Sequence, residues 1–219
     1  RTIVLAIAQA TSLAPDALAA AVRDTALIRE LGIPTPTLEG YLFPETYLLP
    51  VSATAPAVVR TMVQQFQKRW KPEWNDRLAR LSMTRHQVMT LASIIEKEAR
   101  VAEERPIISA VYHNRLRRRM PLQADPTVLY ALGRHAARVL YKDLEVDSRY
   151  NTYRYPGLPP GPIASPGSAS VQAALFPADV PFLYFVAHPD GHHEFRRTLR
   201  EHTEAVRRMR ALRRVTTRP

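Results

Sequence analysis

The stretch Thr84–Ala99, TRHQVMTLASIIEKEA, decides the fold. Thr84 with Gln87 three positions later forms a capping box, in which each side chain satisfies a backbone N–H at a helix start. Val88, Leu91, Ala92, Ile95 and Ala99 then recur on one face at about 100° per residue, so a helix begins here and buries that face. Measured from this stripe, Lys97 points away from the core, while Glu96 and Glu98 fall roughly 80° to either side of it. Both glutamates stand at the border where a carboxylate is half-buried, and they cannot share one site directly. Burial beside Ile94, Ile95 and aromatic loops raises a carboxyl pKa, which a general acid working near neutral pH needs. Either glutamate fits that role, and both also fit solvated positions on an ordinary helix flank.

Toward the C-terminus, Glu103–Met120 reads as a second helix, with Pro106 near its start, apolar Ile107, Ile108, Val111, Tyr112 and Leu116, and arginines at its end. Asp125 with Pro126 caps a short helix that Gly133 closes. The run RYNTYRYPGLPPGPIASPG at 149–167 is too rich in proline and glycine for regular helix and predicts an ordered loop. Ser165 and Pro166 start a helix through Leu175. Phe182–Ala187 is a strand, Asp190 and Gly191 turn the chain into a strand around Phe195, and a basic amphipathic helix ends it. Toward the N-terminus, Leu5–Leu31 predicts short helices, one capped by Ser12 with Pro15 early and closed by Gly32. EGYLFPETYLLP at 39–50 suits an extended, half-buried segment, and Val58–Trp70 is helical again.

These elements predict an α+β fold, with helices packed on a small antiparallel sheet and an open cleft lined by the loops at 122–127 and 149–167. Residues 1–80 form the N-terminal helical part and 81–219 the core carrying Glu96. With 219 residues, 46% of them apolar, the chain can bury a real core. No run reaches the roughly 18 apolar residues of a spanning helix. Arg1 is not an initiator methionine, so the expected molecule is a fragment or a processed product. The absence of cysteine excludes disulfides and thiolate metal sites without fixing the compartment. A net charge of +11, mostly from arginine, predicts an anionic neighbour: nucleic acid, an anionic membrane surface or an anionic polymer such as peptidoglycan.

Asn114, Gln123, Asp125, Asn151, Thr152, Tyr153 and Tyr155 are groups of the kind that bind sugar hydroxyls or stack on pyranose rings, and they are equally suited to turns and caps. His188, Asp190, His192 and His193 flank a tight turn with no recurrent ligand spacing, so no metal is expected. Lys97 faces outward and no glycine loop cradles a phosphate, so no cofactor, pyridoxal phosphate included, is expected. The Arg117–Arg119 run has no interleaved aromatics and sits where cations suit a helix end, so no nucleic acid is expected as a partner.

Four segments taken together resemble the MltG-type (YceG-like) endolytic murein transglycosylase family: EGYLFPETY at 39–47, LASIIEKEA at 91–99, NRLRRRMPLQADPTVLYALG at 114–133 and YNTYRYPGLPPGPIASPG at 150–167. FLYFVA at 182–187 with HEF at 193–195 is a fifth match, and the order is the family's. Ala124, Ser165 and His113 depart from the usual pattern, which touches subsite detail rather than the reaction. The resemblance implies cleavage of the β-1,4 bond between N-acetylmuramic acid and N-acetylglucosamine in nascent glycan strands, leaving 1,6-anhydro ends. It places the acid, and then the base, on Glu96, the first glutamate of Ile-Glu-Lys-Glu. Gln123, Asn151 and Tyr153, with Asp125 and Asn114, are the expected substrate groups, and Glu39 contacts substrate or braces the loops with Glu45. The family also implies an N-terminal membrane anchor and a LysM-like module absent from this chain, a place on the extracytoplasmic face of the inner membrane, and cell-wall synthases as partners. The alternative is a non-catalytic peptidoglycan-binding or scaffold domain.

Overall fold

The computed structural model describes residues 2–134, 136 and 139–216. Helix α1 spans Thr2–Ala10, α2 Pro15–Arg23, α3 Thr25–Glu30, α4 Ala55–Arg69 and α5 Glu73–Leu81. Helix α6 follows at Arg85–Glu98, α7 at Arg105–Arg117, α8 at Asp125–Ala131 and α9 at Ser168–Leu175. Strands β1 (Tyr184–Ala187) and β2 (His193–Arg196) form an antiparallel hairpin with Phe185 opposite Phe195, and α10 (Leu199–Thr216) packs against it. The fold is α+β, helical with a small two-stranded sheet. Among the described residues no helix is long and apolar enough to cross a membrane.

Helix α6 is the central element. Thr84 Oγ1 accepts from Gln87 N and Gln87 Oε1 accepts from Thr84 N, the predicted capping box. Every residue from Val88 to Ile95 is buried, not only the predicted stripe, because α7 and α9 pack on the helix from different sides. The buried hydroxyls are paired: Thr90 Oγ1 donates to His86 O at 2.8 Å and Ser93 Oγ to Thr90 O at 2.7 Å. One buried apolar cluster runs from Val4 to Leu175 and crosses position 80 without a break.

Several ends differ from the sequence expectation. Ser12 does not cap α2; Ala14 stands at that position and Pro15 supplies a helix-ready φ with no N–H to satisfy. Asp24 interrupts the long helical pattern, its Oδ1 accepting from Ala26 N and Leu27 N, so α3 starts afresh. Helix α5 was not expected from the pattern; it ends at Ser82 with φ +52°. Helix α9 begins at Ser168 rather than Ser165, since the chain through Pro166 is held by the loop contacts described below.

Candidate active site

The loop 158–167 lies along one face of α6. His86 Nε2 meets Pro160 O at 2.8 Å while its Nδ1 meets Tyr41 Oη at 2.9 Å. Ile163 N donates to Ser93 Oγ at 2.9 Å. Glu96 continues this row: its Oε2 accepts from Ser170 Oγ at 2.6 Å and from Gly167 N at 3.4 Å. Positions 86, 93 and 96 lie on one side of a helix at about 100° per residue, so these three polar side chains clasp the loop and the start of α9. Gly40 (φ +89°) closes the arrangement from outside, since a Cβ there would lie 2.4 Å from the Pro162 ring.

Glu98 occupies the other flank. Its half-buried carboxyl accepts from Tyr112 Oη at 3.0 Å. Burial pushes its pKa up to about 7, with the hydrogen bond from Tyr112 opposing that rise and the Asp125 charge adding to it. Burial likewise raises the Tyr112 phenol, and the Glu98 carboxylate raises it further.

Opposite Glu98 stand two loops zipped together. Gln123 N donates to Thr152 O at 3.1 Å, Ala124 N to Thr152 Oγ1 at 3.0 Å, and Thr127 Oγ1 and Thr152 Oγ1 are 2.9 Å apart. Tyr153 Oη donates to Asp125 Oδ1 at 2.5 Å, so Asp125 is the first residue of α8 and a partner of tyrosine rather than a side-chain cap. The Tyr153 phenol is raised, by burial first and then by Asp125. Gln123 is exposed, at φ +50°, and its Oε1 accepts from Arg115.

Arg115 is a buried residue beside these loops that the sequence reading did not single out. It is 7% exposed and donates through Nε to Leu183 O and through one terminal nitrogen to Pro121 O and Leu122 O as well as Gln123. Its guanidinium also covers the Tyr184 ring at 5.1 Å. Ile108, Tyr112 and Arg115 share one helix face, a spacing that separates Arg115 from the exposed Arg117, Arg118 and Arg119.

Other expected substrate residues are structural. Asn151 is fully buried; its amide donates to Leu144 O and Val146 O, and its oxygen accepts from Tyr153 N. Asn114 donates to Val180 O and Phe182 O, both at 2.8 Å, and accepts from Arg117 on the side of α7 away from Tyr112. Both amides spend their donors on these backbone carbonyls. Glu39 accepts from Tyr130 Oη at 2.6 Å and Glu45 pairs with Gln65 and Arg69, so both brace loops. The histidine turn splits: His193 closes on Glu104 at 2.6 Å, whereas His188 and His192 flank exposed Asp190.

The model of the YceG-like family matches residues 2–208. The chain is 46% identical over 169 residues to an endolytic murein transglycosylase of Bacillus subtilis, covering 77% of this chain and 47% of that one. It is 36% identical over 155 residues to an endolytic murein transglycosylase of Streptococcus pneumoniae, covering 68% and 28%. It thus spans about half, or less, of the length of these relatives. The crystal structure of a yceG-like protein from Listeria monocytogenes superposes with a TM-score of 0.81 at 38% identity, over 89% of this chain and 68% of that one. With a matching model over nearly its whole length and a matching fold, the chain belongs to the YceG-like family.

Proposed function

We propose that this domain is an endolytic lytic transglycosylase acting on peptidoglycan, with Glu98 rather than Glu96 as its acid and base. One observation carries the choice: Glu98 presents a half-buried carboxyl with a pKa near 7 to the paired 121–125 and 151–155 loops, held among the described residues by a single phenol. Glu96, by contrast, is engaged by Ser170 and Gly167 at the start of α9.

Tyr112 donates to Oε1 of Glu98, which leaves Oε2 to carry the proton. Glu98 gives that proton to the glycosidic oxygen between N-acetylmuramic acid and N-acetylglucosamine as the bond breaks. The resulting carboxylate then takes the proton of the muramoyl C6 hydroxyl, whose oxygen closes on its own anomeric carbon to give the 1,6-anhydro end. No water enters, so one carboxyl serves both steps, whereas a hydrolase needs a second across the bond. Arg115 holds the Gln123 turn in place, and Gln123, Asp125 and Tyr153 are the exposed or half-exposed groups that line the glycan's path. The same reading sets the domain on the extracytoplasmic side of the inner membrane, held there by an anchor outside this chain and working beside cell-wall synthases.

The test is mass spectrometry of uncrosslinked glycan strands digested with wild type, Glu98→Gln and Glu96→Gln. Anhydro-ended fragments from wild type and Glu96→Gln, but not from Glu98→Gln, are the expected result. The reverse pattern returns the role to Glu96. Reducing ends mean that water is the nucleophile, with Asp125 the nearest candidate for a second carboxylate. Intact strands throughout mean a peptidoglycan-binding domain without catalysis.

A further inference from the structure

Helix α7 has two polar faces. Tyr112 reaches Glu98 and Arg115 the 121–123 turn, while Ala110, His113, Asn114 and Arg117, spaced three, four and seven apart, form the opposite face. That second face, with Arg77 of α5 and the 177–180 segment, walls a pocket of about 220 Å3. Nothing described above uses it.

Its chemistry is cationic. Arg77 donates through Nε to Leu175 O at 2.6 Å and lies over the Phe176 ring at 5.2 Å, and among the described residues its terminal nitrogens have no hydrogen-bond partner. Arg117 donates one terminal nitrogen to Asn114 Oδ1. Among the described residues neither guanidinium pairs with a carboxylate, although Asp179 stands in the pocket wall. His113 sits between them, its Nε2 2.8 Å from Ala174 O. Burial holds the imidazole below its ordinary value, the hydrogen bond with Ala174 O opposes this, and the Arg117 and Arg77 charges add to the lowering. The remaining walls, Ala110, Pro177, Ala178 and Val180, are small and apolar.

The geometry points to a second binding site, separate from the glycan-cutting centre, that takes the terminal carboxylate of a short peptide with small aliphatic side chains. Two guanidiniums with unused donors match the two oxygens of a carboxylate, and the apolar walls leave room for methyl groups but offer few partners to a larger polar ligand. The assignment rests on the peptidoglycan reading only for its source of peptide, the stem peptides of the polymer.

The test uses the intact chain carrying Glu98→Gln, so that binding is read without turnover. Acetyl-D-alanyl-D-alanine and inorganic pyrophosphate are each titrated up to roughly 20 mM, well above the millimolar affinity such a small ligand reaches. The His113 ring signals in NMR are the local readout. Saturable shifts of His113 with the dipeptide are expected, weakened about tenfold by Arg117→Ala. Asp179→Asn removes a competing negative charge and is expected to tighten binding about threefold, a gain that no folding defect mimics. Saturation by pyrophosphate alone overturns the peptide assignment. Absence of any saturable shift, or equal affinity in Arg117→Ala and wild type, overturns the site. Anhydro-end formation from peptide-free strands by Arg117→Ala with Glu98 intact is expected to be unchanged, which keeps a failure here distinct from a failure of the catalytic reading.

Discussion

Replacing Glu98 by glutamine should abolish glycan cutting and at the same time stabilise the protein, but only above about neutral pH. The Glu98 carboxyl has a reference value of 4.5 and stands at about 7 in the folded chain because burial disfavours its charged form. The folded state therefore keeps a proton that the unfolded state releases. Stability conferred by that proton is complete below pH 4.5 and is lost as pH rises to about 7, beyond which the loss is constant. At 1.36 kcal/mol per pH unit the full difference is about 3 kcal/mol, which partial solvent contact trims to about 2 kcal/mol. Glutamine keeps an oxygen for the Tyr112 hydroxyl and carries no charge, so it avoids this loss. Thermal melts at pH 8 should place Glu98→Gln about 4–8 °C above wild type, and the gap should close at pH 4.5. An equal gap at both pH values, or a less stable variant at pH 8, refutes a buried Glu98 with a raised pKa.

Three further outcomes follow from the same geometry. Tyr112→Phe removes the hydrogen bond that lowers the Glu98 pKa, so the alkaline fall of kcat/KM, expected near pH 7 in wild type, should move upward in a pH–rate profile. Glu96→Ala strips Ser170 Oγ and Gly167 N of their acceptor and should cost about 2 kcal/mol in urea unfolding. Its turnover per folded molecule should stay within about threefold of wild type, against a loss of about 1,000-fold for Glu98→Gln. Gly40→Ala must place a methyl group against Pro162 at a φ of +89°, costing about 3 kcal/mol by the same unfolding measurement.

The helix at 84–99 was legible because its cap and its apolar spacing agree, and the α+β class followed from the proline-rich loops and the Asp190–Gly191 turn. Helix α5 was not, since Glu73–Leu81 buries only Trp74 along its length and its pattern is mostly polar. For the site, spacing placed Glu96 and Glu98 on opposite flanks of the stripe, and there the residues stopped. The choice between them depends on what packs on each flank, Ser170 and Gly167 from some 70 residues away on one side and Tyr112 on the other. Asn114 and Asn151 looked like sugar ligands because an amide that binds backbone carbonyls and one that binds hydroxyls are the same group in a sequence.

The two flanks of α6 differ in what they offer a carboxyl. A carboxyl with a pKa near 7 needs burial, yet each buried polar group beside it that donates a hydrogen bond lowers that value again. The loop at 158–167 is held by polar contacts from His86, Ser93 and Glu96, so on that flank the Glu96 carboxyl is taken up by Ser170 Oγ and Gly167 N. On the Glu98 flank the first neighbour is one phenol, and beyond it stands the Asp125 carboxylate, which repels a charge rather than attracting it. Arg100 is the cation that acts on Glu98, opposing the rise of its pKa, whereas Arg115 has its donors directed to the carbonyls of 121, 122 and 183 and to Gln123. It shapes the loop without forming an ion pair with Glu98. Arg115 thus sets the position of the loop, while the acidity of the Glu98 carboxyl is set by its burial, the Tyr112 phenol and the charges of Asp125 and Arg100.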